Sequence, residues 1–118
     1  MISRRLIRIK VFKVLFSRIN SGYNSITAAE KELLLSCEKT LDLYYLLLLL
    51  PLELRKVAEQ RIETGLIKFQ PTPEEANPNR RFVNNRLLVL LENDTVLNGY
   101  CKRRGLNWAD HASFVKKL

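Results

Sequence analysis

The chain has 118 residues, 47% of them hydrophobic and 27% charged, which is the composition of a globular domain long enough to bury a core without disulfide or metal staples. Twenty basic residues against twelve acidic ones give a net charge of +8, and the excess sits at the ends. Residues 1–20 carry six bases and no acid, residues 99–118 carry five bases and one acid, and the stretch between carries nine bases and eleven acids.

Cations clustered at two ends favour a polyanionic partner, because binding releases the counterions they gather. Cys37 and Cys101 stand alone without a CxxC or a nearby His, so they read as reduced structural thiols in a cytoplasmic protein. The longest apolar run, Leu43 to Leu52, has ten residues. A membrane span needs about 20, so the run reads as a core helix. No signal peptide is recognisable, because arginines interrupt the apolar N-terminus.

The pattern predicts an all-α fold, a helical bundle with a long first helix and a kinked long second one. The first helix runs from about Ile2 to Ile19, with Ser3 as its N-cap, and ends in "NSGYNS" at Asn20 and Gly22. At 100° per residue, Ile7, Val11, Leu15 and Ile19 form one line flanked by Phe12, Val14 and Phe16, while Lys10, Lys13 and Ser17 lie opposite. Thr27 and Glu30 have the spacing of a capping box that starts a second helix at Ala28. That helix runs to Pro51, where it kinks or a third helix begins, the third ending by Gly65. The proline-rich "QPTPEEANPN" reads as a surface loop. A helix over Arg80–Leu91 would bury Phe82, Val83, Leu87, Leu90 and Leu91. A short one over Thr95–Arg104 is capped by Gly105, and a last one opens at Asn107 and Asp110 and runs through Phe114. With Phe114, Val115 and Leu118 at its end, the chain reads as one helical domain, the first module of something longer.

No catalytic constellation stands out. His111 has no Ser or Cys partner in a local motif, Glu74 and Glu75 sit in the loop as solvating charges, and no phosphate-binding glycine loop exists, so the chain reads as a non-enzyme. No cofactor or metal site is expected. Leu46 to Leu50 could form a partner groove, but core packing is the better reading. Tyr44 and Tyr45 fit a core or boundary better than base stacking. Trp108 beside the basic Lys102–Arg104 suits a nucleic-acid surface, or a lid on the bundle's end, and the lid is preferred.

The first helix carries the functional question. Arg4 and Arg8 lie one turn apart on the apolar side. If the body of this helix is buried, its N-terminal turns project past the core, and Arg4, Arg5 and Arg8 meet either solvent or a phosphate backbone.

"RRLIRIKVFKVLF" resembles the arginine-rich opening helix of the NusB family of transcription antitermination factors, of the form R-R-x-A-R-x-x-A-x-Q-x-L-Y. Arg5 and Arg8 match its arginines, Val11 the core alanine, Lys13 the glutamine and Leu15–Phe16 the Leu-Tyr pair. The segments "NPNRRFVNNRLL" and "LNGYCKRRGLNW" are similar to the expanded N-terminal half of Bacteroidetes-type members. Ile7 and Val11 replace small alanines, and the alanine-rich C-terminal signature is absent.

The resemblance implies an all-helical RNA-binding module in transcription regulation. It would contact boxA-type leader RNA through Arg4, Arg5 and Arg8, with Lys10 and Lys13 as outer contacts. It also implies pairing with the small ribosomal protein NusE within an RNA polymerase elongation complex. A dimer is compatible with the sequence. The alternative is a helical protein–protein interaction module that does not touch nucleic acid. A membrane-surface helix comes third.

Overall fold

The computed structural model describes residues 2–22 and 25–118, and every described element is helical. The helices are α1 (Arg4–Ser21), α2 (Ile26–Ile67), α3 (Pro73–Ala76), α4 (Arg86–Glu92), α5 (Thr95–Arg104) and α6 (Ala112–Val115), with a 3₁₀ turn at Ala109–His111. The chain divides into two compact units, one reaching to Leu43 and the other Tyr44–Leu118, and α2 contributes to both. Among the described residues, no helix is long and apolar enough to cross a membrane.

In the N-terminal unit, α1 starts where expected. The Ser3 hydroxyl accepts a hydrogen bond from the Leu6 N–H at 3.3 Å. Gly22 ends the helix at φ 70°, a left-handed conformation that glycine adopts without steric cost, and its N–H donates to the Ile19 carbonyl. Tyr23 and Asn24, in the expected turn, lie outside the described residues. The second helix begins earlier than the Thr27–Glu30 spacing predicts. The Ser25 hydroxyl accepts from the Ala28 N–H at 3.4 Å and the Ser25 carbonyl from the Ala29 N–H, which puts Thr27 inside the helix.

α1 and the first part of α2 pack antiparallel as a hairpin. The inward line of α1 is Leu6, Lys10, Val14 and Arg18, one position out of step with the expected Ile7, Val11, Leu15 and Ile19. Val14 is 7% exposed, whereas Ile19 is 74% exposed. Opposite it, α2 offers Ala29, Leu33, Ser36 and Thr40, of which Ala29, Ser36 and Thr40 are small enough to leave room for long cationic side chains. Lys10 Nζ donates to Ser36 O and Ser36 Oγ at 2.8 and 2.7 Å, and Arg18 Nη2 reaches Glu32 Oε2 at 3.0 Å. Polar links thus join the seam on either side of Val14, while Val11 and Leu15 line a small apolar cavity with Val14, Ile26, Ala29 and Leu33, and Ile7 and Ile19 of the expected stripe are exposed.

In the second unit, α2 continues as one helix through Pro51, so the expected third helix is its C-terminal part and ends at Ile67 rather than Gly65. Proline has no N–H for the carbonyl four residues back and costs about 3 kcal/mol in a helix interior. The neighbouring carbonyl, Leu46 O, accepts from Trp108 Nε1 at 2.9 Å. Trp108 thus closes onto α2 as a lid. Tyr45 stacks on Tyr100 with ring centroids 4.0 Å apart, which brings α5 against the same helix. Gly65 is helical and buried beside the Glu75 side chain, which a Cβ at this position would meet at 3.4 Å.

The buried side chains come mainly from the C-terminal elements: Val83, Leu88, Leu97, Cys101 and Val115. The run Leu46–Leu50 is half-buried, and Leu47 is exposed. The expected Arg80–Leu91 helix is shorter. Asn85 accepts from the Leu87 N–H at 2.9 Å and restarts the chain as an N-cap, so α4 turns Leu88 and Leu91 inward and leaves Leu87 and Leu90 out. Arg55 ties α4 to α2 by reaching Glu59 at 3.3 Å and Glu92 at 3.0 Å. Within the expected loop, Pro73–Ala76 forms a helical turn with a complete capping box. The Thr72 hydroxyl accepts from the Glu75 N–H, and a Glu75 carboxylate oxygen accepts from the Thr72 N–H.

Candidate nucleic-acid interface

With Leu6, Lys10, Val14 and Arg18 turned toward α2, α1 presents Arg5, Arg8, Ile9, Phe12, Lys13 and Phe16 on its other side. Their spacing of three and four residues keeps them on one helical face. Five of them, Arg5 to Lys13, line an open groove of about 410 Å³. Phe12 and Phe16 are 67% and 58% exposed, and their rings stack at 6.0 Å between centroids and 22° between planes. Arg4 is exposed next to this face, on the turn that starts the helix.

The five candidate residues divide here. Arg5, Arg8 and Lys13 share the groove, so Lys13 stands with the arginines rather than across from them. Lys10 is turned inward, half-buried and held by Ser36, which leaves it outside the array. Arg4, Arg5, Arg8 and Lys13 carry no ion pair or side-chain hydrogen bond among the described residues. These charges are not placed to stabilise the helix. The first turn of α1 contains no acid and opens with two arginines. Cations at the positive end of a helix dipole are unfavourable by about 0.3–1 kcal/mol, the reverse of the usual preference. An anion brought to this end relieves that repulsion and meets the helix's own unbonded N–H groups.

Phe12 and Phe16 belong to this face although the aliphatic pattern reads them as flanks of a core stripe. Their signal is the series 5-8-9-12-13-16, in which three bases, Ile9 and two aromatics share one face at helical spacing. The second basic cluster behaves otherwise. Lys102, Arg103 and Arg104 sit in the last turn of α5, where cations complement the helix dipole, and Trp108 is committed to Leu46 O.

The Glu75 carboxylate titrates away from its ordinary value. The Lys68 ammonium and then the Thr72 N–H hold its carboxyl below the usual value. Burial pushes the Cys101 thiol upward.

No family model, no curated protein and no solved structure matches the chain.

Proposed function

We propose that the chain is an RNA-binding module of a transcription antitermination factor resembling the NusB family. The observation that supports it is the outward array on α1: three arginines and Lys13 without acidic partners, beside two stacked, exposed phenylalanines. Guanidinium groups suit phosphate through bidentate hydrogen bonds, and exposed aromatic faces suit unpaired bases worth about 1–3 kcal/mol each. Arg4, Arg5 and Arg8 hold the phosphates in this reading, Lys13 extends the track, and Lys10 braces the helix from behind. The boxA-type RNA, the ribosomal-protein partner NusE and the polymerase complex rest on the resemblance of "RRLIRIKVFKVLF", and cytoplasmic localisation follows from that role.

Fluorescence anisotropy with a labelled boxA-like RNA across a salt series tests the site. Affinity falls with salt, and Arg5→Glu/Arg8→Glu removes most binding while the circular dichroism of the protein is unchanged. Neutral Arg5→Gln/Arg8→Gln flattens the dependence of log K on log salt by roughly 1.4, about 0.7 per lost contact with a single strand. Equal affinity in the double glutamate variant would refute the assignment.

A further inference from the structure

Within Tyr44–Leu118, the segment from Asn79 to Arg86 holds three arginines, three asparagines and a phenylalanine, and no acid. Its backbone is pinned. The Asn79 carboxamide oxygen accepts from the Arg81 N–H at 3.0 Å, and the Arg80 carbonyl accepts from the Asn84 N–H at 2.9 Å, which winds one helical turn. The Phe82 carbonyl accepts from the Asn85 N–H at 3.2 Å, and Asn85 opens α4 directly afterwards. Val83 and Leu88, both buried, peg these two turns to the core. Arg80, Arg81, Phe82, Asn84 and Arg86 are left exposed.

Arg80, Arg81 and Arg86 make no ion pair and no side-chain hydrogen bond among the described residues. The carboxylates near them in sequence are engaged elsewhere: Glu75 by Lys68 and the Thr72 N–H, Glu92 by Arg55, and Asp94 by the Leu97 N–H. Glu74 lines the cleft beside Asn79, where Arg61, Lys68 and Lys116 outnumber it and Glu75. Like charges held this close repel one another, and a polyanion relieves that repulsion.

We propose that this segment is a second RNA contact, one that takes an unpaired stretch of the strand; for its ligand the inference rests on the RNA reading of α1. Arg80, Arg81 and Arg86 hold phosphates, each through two N–H groups of a guanidinium edge. The Phe82 ring offers a stacking face to a base. The Asn84 carboxamide, without a partner among the described residues, offers a donor and an acceptor to a base edge. An acidic peptide would use the arginines and leave the ring idle. A duplex would present phosphates but keep its bases stacked away from Phe82.

The test uses the full chain and a labelled single-stranded RNA of about 12 nucleotides, followed by fluorescence anisotropy across a salt series. Arg80→Gln/Arg81→Gln/Arg86→Gln is expected to lower affinity at least about tenfold and to flatten the slope of log K against log salt by roughly 2, about 0.7 for each contact. Phe82→Leu keeps an apolar side chain, removes the ring and is expected to lower affinity about fivefold or more. Helicity by circular dichroism is unchanged in both. With 4-thiouridine in the strand, ultraviolet cross-linking places an adduct on the tryptic peptide 82–86.

Unchanged affinity and salt slope in the triple glutamine variant overturn this proposal alone when Arg5→Glu/Arg8→Glu still impairs binding. Parent-like binding in Arg5→Glu/Arg8→Glu together with loss in the triple variant supports this proposal and removes the reading of α1. A chain that binds no RNA overturns both. A duplex bound as tightly as the single strand overturns the proposal, as does displacement of the RNA by an equal concentration of an oligoglutamate of the same charge.

Discussion

Replacing Lys10 by methionine separates its two readings, brace and nucleic-acid contact. Methionine keeps a long flexible stem and loses the ammonium, so the two bonds to Ser36 O and Ser36 Oγ disappear. Hydrogen bonds from a charged donor contribute about 1.5–3 kcal/mol each in net terms. Two features lower that figure here. The position is half-buried, so water partly replaces the lost partners, and Ser36 O still accepts from Thr40 Oγ1 at 3.1 Å and is not orphaned. The expected loss is about 1–2 kcal/mol of unfolding free energy, or a fall in Tm of roughly 4–10 °C for a domain of this size. Urea denaturation followed by far-UV circular dichroism measures it, and a double-mutant cycle with Ser36→Ala isolates the Oγ bond. RNA affinity of the folded variant, measured at a temperature well below its Tm, should match the parent. Stability unchanged within about 0.3 kcal/mol together with a tenfold loss of RNA affinity would refute the reasoning and return Lys10 to the binding face.

Leu88→Ala is expected to cost about 2–5 kcal/mol in the same denaturation assay, since Leu88 is 3% exposed at the centre of the second unit, whereas Leu87→Ala, one residue away and outward-facing, should cost less than about 1 kcal/mol. Because the folded-state pKa of Glu75 is lowered, its contribution to the Thr72–Glu75 turn is complete above its ordinary value of 4.5 and is lost as pH falls through the lower folded-state value. The Thr72 amide resonance should titrate over that acid range in the parent and not in Glu75→Gln. Iodoacetamide at neutral pH should label half-buried Cys37 well before Cys101, whose thiol is buried and raised in pKa, and mass spectrometry of tryptic peptides reads the order.

Where a single short-range rule decided the outcome, the sequence was a reliable guide. Ser3, Gly22 and Gly105 each cap a helix by bonds to neighbours within a turn, and all three act as their positions predict. Thr27–Glu30 and Thr72–Glu75 have the same capping-box spacing, yet only the second forms a box. Pro73 at the first helical position and Lys68 on the carboxylate favour it, while Ser25 captures the start of α2 upstream of Thr27.

The inward face of α1 was not legible, because it depends on what α2 offers. A hydrophobicity projection ranks Ile7, Val11, Leu15 and Ile19 above Leu6, Lys10, Val14 and Arg18, and it contains no term for Ser36 and Glu32 waiting across the hairpin. Arg4, Arg5 and Arg8 were legible as exposed cations from charge alone. The place of Lys13 and of the Phe12–Phe16 pair followed only once the rotation of the helix about its axis was fixed.

That rotation is fixed by polar links, with a consequence for how tightly the hairpin is aligned. Two helices joined by aliphatic contact alone can slide along each other with little loss, since one methyl group substitutes for the next. Lys10 has a single mate at Ser36 and Arg18 a single mate at Glu32, on opposite sides of Val14. A shift along the axis by one residue strains both links at once, so the pair works as a vernier that sets the register of the hairpin. Filling those two positions with leucine would enlarge the greasy seam and erase the graduation marks.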